Sequence, residues 1–432
     1  MFLCGGGTGG HVYPALAVAA ALREHETAVD DQRPNGHNMS CPDDRGSQSV
    51  AGGRWSVVYI GSEDGMEAVL VAEESDLPFR SIPAAALRGR SPLALAYNAG
   101  TLARGTRTAR RLIAVERPLA ILGTGGYVCV PLFLAAWAAR VPTAIYLPDV
   151  VPGLAVRFLA RLATVVACNV EDSTKYFRFQ ILDFRLGESQ LKIKNQKSKI
   201  VVTGYPVRRE LFEQNRATSR AAFGLDEQPP VLLVYGGSRG ARSINRAIMA
   251  LLPYLLPIAQ VLHICGREGD EAWLREGAAR LPAELQGRYR LYPYLFSGEQ
   301  GRENHLPAPG PSMVQAFGAA DLALCRSGAS TLGELPAAGL PAVLVPYPYV
   351  YQDENADYLV RRGAALKVRD EEMLGDGRPD TSPLYRNLLR LIEDPNERAT
   401  MSERSMALAQ PDAAQRLANL LLALATSKRS TR

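Results

Sequence analysis

The sequence predicts an α/β protein built from two doubly wound domains. Three observations carry that prediction. Short apolar runs alternate with helical stretches in two blocks, the pattern of parallel sheets covered by helices. Several of those runs end in glycine turns that open a helix, at 5–11 (GGGTGGH), 124–127 (TGGY) and 236–242 (GGSRGAR). With 432 residues, 47% of them hydrophobic, the chain is long enough for two cores.

Residues 1–4 end a short apolar strand. A first strand normally carries several more residues, so the natural start is expected slightly upstream. The glycine loop follows, then a helix over 12–22, with Pro14 tolerated in its first turn. A strand that runs through glycines into a helix N-terminus can hold an anion on free backbone N–H groups. This loop is not a P-loop, because no Gly-Lys-Ser/Thr follows, and it lacks the dinucleotide spacing. His11, at its mouth, is the only one of five histidines inside a glycine motif.

Residues 23–54 are polar and read as an exposed loop or disorder. Strands are expected at 54–61 and 79–82, a helix at 66–71 and a turn at 87–89. A helix over 93–111 carries Arg104, Arg107, Arg110 and Arg111 at helical spacing. It reads as a core helix with a basic solvent face, or as an amphipathic element facing a membrane. Strand 120–123 enters the second glycine loop, followed by helix 130–140. Two such loops at the carboxyl edge of one parallel sheet can face a single ligand. Strand 143–146, helix 154–163, strand 165–169 and a helix beginning at 171 complete the first block. Residues 178–199, rich in Lys, Gln and Asn, read as an inserted loop with a solvated basic face.

The stretch 200–208 reads as a strand entering a tight turn at the domain crossover. Strands at 231–235, 260–265, 288–294, 322–325, 341–346 and 364–368 then alternate with helices at 243–252, 269–281, 313–320, after 330 and within 349–363. The loop at 297–312 is expected to be mobile. Helices at 384–391 and 396–426 close the chain, bent at Pro411, with a frayed basic tail. The expected domains are 1–177, with a flexible insert at 25–53, and 200–410, joined by the inserted loop 178–199. Residues 411–432 are expected to form a helix that crosses back to the first domain.

A formal net charge of +5 fits an anionic ligand or an anionic membrane surface, and no nucleic-acid motif appears. The cysteines, Cys4, Cys41, Cys129, Cys168, Cys265 and Cys325, form no CxxC pair and read as reduced, mostly buried thiols of a cytosolic protein. No leader with a basic start and cleavage site is visible, and no uncharged run reaches spanning length.

Taken in order, the motifs resemble those of the MurG family, bacterial N-acetylglucosaminyltransferases that convert lipid I to lipid II in peptidoglycan synthesis. GGGTGGHVYPALAVA resembles its opening signature, and ILGTGGYVCVP its second glycine loop. VVTGYPVR resembles its TGNPVR, with Tyr205 in place of asparagine, and VYGGSRGARSIN its GGSQGAR-x-N. CRSGASTLGELPAAGLPAVLVPYP, followed by QDENA, resembles its donor-site signature. The similarity spans the chain apart from inserts near 25–53, 178–199 and 297–311. It implies a GT-B fold, two Rossmann-like domains facing across a cleft, the first taking the acceptor and the second the donor. It implies inverting transfer of GlcNAc from UDP-GlcNAc to the C4 hydroxyl of MurNAc in undecaprenyl-linked lipid I, with no cofactor and no required metal. It further implies a peripheral protein on the cytoplasmic face of the bacterial inner membrane, with that anionic surface and other cell-wall synthesis enzymes as partners.

Such chemistry needs a base, a surface that stabilises departing UDP, and a cleft that aligns both substrates. His11 is a natural base, since imidazole accepts a proton near neutrality. It reads equally as a group that orients the loop or bonds an acceptor phosphate. Thr8, Gly9 and Gly10, with Gly125, Gly126 and Tyr127, resemble the cradle for the acceptor pyrophosphate, against a reading as plain turns. On the donor side Arg208, Gly237 and Ser238 are expected at the UDP phosphates; Arg239, standing where the family has glutamine, reads as a charge contact to diphosphate or sugar, or as a solvent-facing side chain. Ser327, Gly328, Ala329 and Thr331 form a turn whose N–H groups can face the α-phosphate. Glu334 resembles the acceptor of the ribose hydroxyls, with a helix-dipole acid as the alternative. Gln352 and Asn355, three apart, resemble the pair that reads the sugar hydroxyls.

One departure from the pattern matters most. Tyr146-Leu147-Pro148-Asp149 replaces the family's His-Glu-Gln-Asn. Asp149 is thereby a second candidate base, or the mark of a different acceptor. Three competitors follow: a GT-B transferase with the same donor and another lipid or small-molecule acceptor, a UDP-GlcNAc 2-epimerase, and a non-catalytic UDP-sugar-binding paralogue. The paired glycine loops argue against the epimerase, and retention of His11, Glu334 and Gln352 argues against the paralogue.

Overall fold

Strands covered by helices on both faces read as near-continuous apolar runs, and most of these strands are built that way. β1 (Phe2–Cys4), β2 (Val58–Ser62), β4 (Ile121–Gly123), β5 (Thr143–Leu147) and β6 (Val165–Cys168) are buried throughout; β3 (Phe79–Ile82) and β7 (Ile200–Val202) are the more open edges. A computed structural model describes residues 1–7, 9–31, 56–63, 65–85, 92–177, 200–237, 240–295 and 310–429. In the first sheet the strand order is β3-β2-β1-β4-β5-β6-β7. A second sheet holds β8 (Val231–Tyr235), β9 (Gln260–Ile264), β10 (Tyr289–Tyr292), β11 (Leu322–Cys325), β12 (Ala342–Leu344) and β13 (Ala365–Lys367), in the order β10-β9-β8-β11-β12-β13. Every pairing is parallel. The two helix-flanked sheets form a GT-B fold.

Helices α1 (Gly9–Asp31), α2 (Glu67–Glu74), α3 (Pro92–Glu116), α4 (Cys129–Ala138) and α5 (Leu154–Leu159) follow the first five strands in turn. The second unit carries α6 (Arg216–Phe223), α7 (Arg242–Leu255), α8 (Glu271–Ala279), α9 (Ala283–Gln286), α10 (Met313–Ala319), α11 (Thr331–Ala338), α12 (Asp353–Arg361), α13 (Pro383–Glu393) and α14 (Pro395–Met406). α15 (Ala413–Arg429) returns to the first unit. There Leu417, Leu421 and Leu424 join a core with Leu3, Val18, Leu22 and Tyr59. Pro411 lies in the break between α14 and α15.

Each sheet reverses its strand order once, between β1 and β4 and between β8 and β11. Loops leaving neighbouring strands at such a point diverge to opposite faces and leave a crevice at the carboxyl edge. The three glycine turns at 5–11, 124–127 and 236–242 leave β1, β4 and β8, strands at these two points.

The crossover lies later than the sequence reading placed it. Ile200, Val201 and Val202 pair with Val166, Ala167 and Cys168, so the first sheet extends past the inserted loop to residue 202. Three apolar residues there cover an edge that β6 would otherwise present unpaired. α1 also runs to Asp31, well past the expected end at 22. The remainder of the 25–53 insert, the 87–89 turn, the 178–199 loop and residues 297–309 lie outside the described residues. The chain crosses between units twice, after β7 and before α15, and the crossings touch. A Cβ at Gly204, where φ is +85°, would lie 2.7 Å from Gln410 Cβ and 3.0 Å from Ala413 Cβ.

Candidate active site

At the first switch point the two glycine loops converge. Gly6 N–H donates to Gly125 O at 3.3 Å, and Thr124 N–H to Cys4 O at 2.8 Å. Gly126 has φ +85°, and a Cβ there would stand 2.3 Å from the Gly6 carbonyl oxygen. Only glycine allows both the turn and the approach. Gly9 and Gly10 open α1, whose first N–H groups have no helical acceptor. Tyr127 stands half-buried at the second loop; Thr8 lies outside the described residues.

His11 is half-buried in the first turn of α1, and its Nδ1 is 2.8 Å from Thr124 O. A carbonyl only accepts, so Nδ1 carries the proton, and in the neutral ring Nε2 keeps its lone pair. Sequence reasoning passes over the acid that braces this region. Glu67, fully buried, accepts from Ser62 N at 2.9 Å and from Gly7 N at 3.3 Å. An acid in the first turn of a helix carries no sequence signal beyond the helix dipole.

Across the cleft, the second switch point gathers the turns after β8 and β11. Ser238 and Arg239 lie outside the described residues; Gly237 stands beside them with φ +86°. Ser327 is fully buried and donates its hydroxyl to Gln352 O at 2.8 Å, and Thr331 donates its own to Gly328 O at 2.6 Å. Those two hydroxyl bonds hold the turn closed against α12 and the start of α11. Gln352 caps α12, accepts from Tyr347 N at 2.9 Å and aims its amide nitrogen toward Gly328. Glu334 is half-buried on α11; desolvation pushes its carboxyl up, opposed by a Ser330 hydrogen bond and by Arg208.

Asn355 is fully buried and fully engaged. Its Oδ1 accepts from Val150 N at 2.9 Å, and its Nδ2 donates to Asp149 Oδ1 at 2.8 Å and Ser327 O at 3.0 Å. It therefore pins the loop after β5 to the turn after β11, and its amide is spent on protein groups. Asp149 stands half-buried there. Desolvation pushes its carboxyl up, opposed by the Asn355 hydrogen bond and the His11 charge. Both candidate bases thus belong to one neighbourhood.

Arg208 bridges the units. Its Nη2 is 3.4 Å from Glu74 Oε2, and its guanidinium stands 5.1 Å from the centroid of the Tyr13 ring. Tyr13 and Tyr294 hydroxyls meet at 2.9 Å, and Arg267, stacked 3.8 Å from the Tyr294 ring centroid, pairs with Glu73 at 3.2 Å. Among the described residues no group of His, Cys, Asp and Glu is placed to hold a metal.

The donor-side loops rest on a buried network. Asn245 donates to Cys265 O and Asp270 Oδ2, each at 2.9 Å, so its Oδ1 must accept from His263 Nε2 at 3.0 Å. His263 Nδ1 then accepts from Tyr289 OH at 2.8 Å. Burial lowers the His263 imidazole from an ordinary 6.5 to about 3. Below pH 6.5 the unfolded chain takes up this proton and the folded chain does not. The stability is complete above about pH 6.5 and falls toward pH 3, by on the order of a few kcal/mol. His263→Gln is expected to reduce proton uptake on unfolding at pH 5 by about one, read from the slope of unfolding free energy against pH. An unchanged slope would refute the assignment.

Residues 1–32 and 47–168 match the glycosyltransferase family 28 N-terminal domain, and residues 310–417 the C-terminal domain. The UDP-N-acetylglucosamine–N-acetylmuramyl-(pentapeptide) pyrophosphoryl-undecaprenol N-acetylglucosamine transferase of Roseiflexus sp. (strain RS-1) is 58% identical over 425 residues, 97% of this chain and 94% of that protein. The chain belongs to the MurG family. The transferase of the same name from Desulforudis audaxviator (strain MP104C) is 34% identical, across 98% of each chain. In fold the chain matches the crystal structure of Acinetobacter baumannii MurG with a TM-score of 0.64 at 24% identity, across 98% of each. It also matches UDP-GlcNAc 2-epimerase from Neisseria meningitidis bound to UDP-GlcNAc, with a TM-score of 0.59 at 14% identity, across 98% and 99%. MurG and epimerase thus share an architecture, and sequence distinguishes them.

Two of the departures from the MurG pattern, Tyr146 and Tyr205, meet in one place. Tyr146 and Tyr205 meet edge to face, with ring centroids 6.5 Å apart, and Tyr146 donates to Gly204 O at 3.0 Å. Burial first, then neighbouring groups including Asp149, hold both phenols well above their ordinary range.

Proposed function

We propose that this chain transfers GlcNAc from UDP-GlcNAc to the C4 hydroxyl of MurNAc in undecaprenyl-pyrophosphoryl-MurNAc-pentapeptide, with inversion, releasing UDP. The observation that carries the reading is the facing pair of switch points, with the His11 Nε2 lone pair beside the acceptor loops. His11 takes the proton of the C4 hydroxyl as that oxygen attacks the anomeric carbon and the bond to UDP breaks. The departing diphosphate meets N–H groups at the starts of α7 and α11, together with Arg208. Glu334 accepts from the ribose hydroxyls, and Gln352 reads the sugar. Gly9 and Gly10, with Gly125, Gly126 and Tyr127, hold the acceptor diphosphate. Asp149 stabilises the imidazolium formed on His11, and Asn355 keeps it in place.

The protein works at the cytoplasmic face of the inner membrane as a peripheral enzyme. No helix among the described residues is long and apolar enough to cross a membrane. Instead α3, α4 and α5 offer exposed Tyr97, Trp137, Leu154 and Phe158. A groove of about 780 Å³ on α3 is lined by Leu102, Arg107, Arg110 and Arg111. Apolar anchors beside cations suit an anionic bilayer surface.

The test is purified protein with labelled UDP-GlcNAc and a short-chain lipid I analogue. Disaccharide and UDP in equal amounts are expected. Saturable UDP-GlcNAc binding without disaccharide would overturn the acceptor assignment. The Arg208–Glu74 pair adds a second expectation. Diphosphate must compete with Glu74 for Arg208, so Glu74→Gln should tighten UDP binding about three- to fivefold, more at low salt. Calorimetric titration measures this, and unchanged or weaker binding would remove Arg208 from the phosphate site.

A further inference from the structure

Pro14 lies inside α1 and has no N–H. Its helical acceptor would be the carbonyl four residues back, that of Gly10. That oxygen instead faces the hydroxyl of Tyr205, 195 positions away, at 3.2 Å. Tyr205 is buried, and its phenol is held protonated, so it donates. Its ring lies on the backbone of α11, where a Cβ at Gly333 would come within 2.6 Å of Tyr205 Cδ1. Gly10 precedes His11, and Gly333 precedes Glu334. One side chain on the crossing segment therefore touches the turn before each of these residues. Tyr146 braces it from behind, through the ring contact and the hydrogen bond to Gly204 O.

We propose that Tyr205 is a positioning residue: its hydroxyl takes the place of the N–H that Pro14 lacks, and its ring spaces the His11 turn from the Glu334 turn. This rests on the reading of His11 as base and Glu334 as ribose acceptor. The role concerns alignment across the cleft, so it acts on turnover more than on donor binding.

Tyr205→Phe removes the hydroxyl and keeps the ring. It is expected to lower kcat about three- to tenfold with the KM for UDP-GlcNAc within about twofold. Backbone amides at the start of α1 that have helical acceptors, from Tyr13 onward, should exchange hydrogen faster, read by mass spectrometry. Pro14→Ala restores an N–H that can reach Gly10 O. The double variant P14A/Y205F is therefore expected to regain both kcat and exchange protection to within about twofold of the parent. Wild-type kcat in Y205F, or a double variant as slow as Y205F, would overturn the proposal. If the parent itself forms no disaccharide, the functional reading has failed. Exchange in the α1 turn still decides the contact, since it needs no turnover: faster exchange in Y205F, restored in the double variant, supports it, and unchanged exchange refutes it.

Discussion

His11→Ala is expected to lower disaccharide formation about 10²–10⁴-fold, the usual range for loss of a general base, with UDP-GlcNAc binding within about twofold of the parent. The size follows from geometry. Thr124 O takes the Nδ1 proton, so the ring presents an accepting Nε2 in a fixed orientation. The donor turns belong to the second sheet and contain no atom of His11, so donor affinity should survive. Asp149→Asn separates the two candidates. Its carboxylate is held by Asn355 and acts on the His11 charge from nearby, so its loss should cost about tenfold or less. Steady-state rates with the lipid I analogue decide. Activity that survives in His11→Ala and vanishes in Asp149→Asn would move the base to the loop after β5.

Gly126→Ala is expected to be among the most damaging single-methyl changes in the first unit, since it combines a backbone clash with a positive φ. The added Cβ would meet the Gly6 carbonyl oxygen at 2.3 Å, a backbone atom that cannot rotate away, at a φ of +85°. Strain and clash together should cost roughly 3 kcal/mol and raise the KM for the acceptor. Gly7→Ala is the control. Its φ is +91°, but nothing lies within 4 Å of the new Cβ, so only the backbone strain, about 1 kcal/mol, is expected. Thermal unfolding of the two variants side by side measures the difference. Equal losses would mean that the loops do not depend on their close approach.

The glycine loops were legible because a strand, a turn and a helix start are local features that announce themselves over a dozen residues. Their convergence was legible too, since alternating strands and helices imply one parallel sheet whose loops share an edge. Asn355 was not read correctly from its spacing to Gln352. A helical face seen in sequence looks available, but this one is covered by Val150 and Asp149 from the other unit, about two hundred positions away. Glu67 carries no signal of its own either: Gly7, one of its partners, is brought to it by the fold from 60 positions away. The crossover was misplaced because three apolar residues after a long insertion carry no sign of which sheet edge they will extend. Tyr205 stood out as a departure from the family pattern, yet its meaning depends on a proline in a helix that only the fold brings beside it.

The return of α15 to the first unit has a consequence for synthesis on the ribosome. The strands and helices of the first unit emerge early, but Leu417, Leu421 and Leu424 belong to the core that α1 lines. That core stays open on one side until the end of the chain has been made. At roughly 5–20 residues per second the delay after β7 is on the order of ten seconds or more. The second unit, whose strands and helices lie within Arg216–Met406, is complete before then. The half that is translated first is therefore the half that finishes last, and its apolar α1 face is the surface most in need of protection while the nascent chain grows.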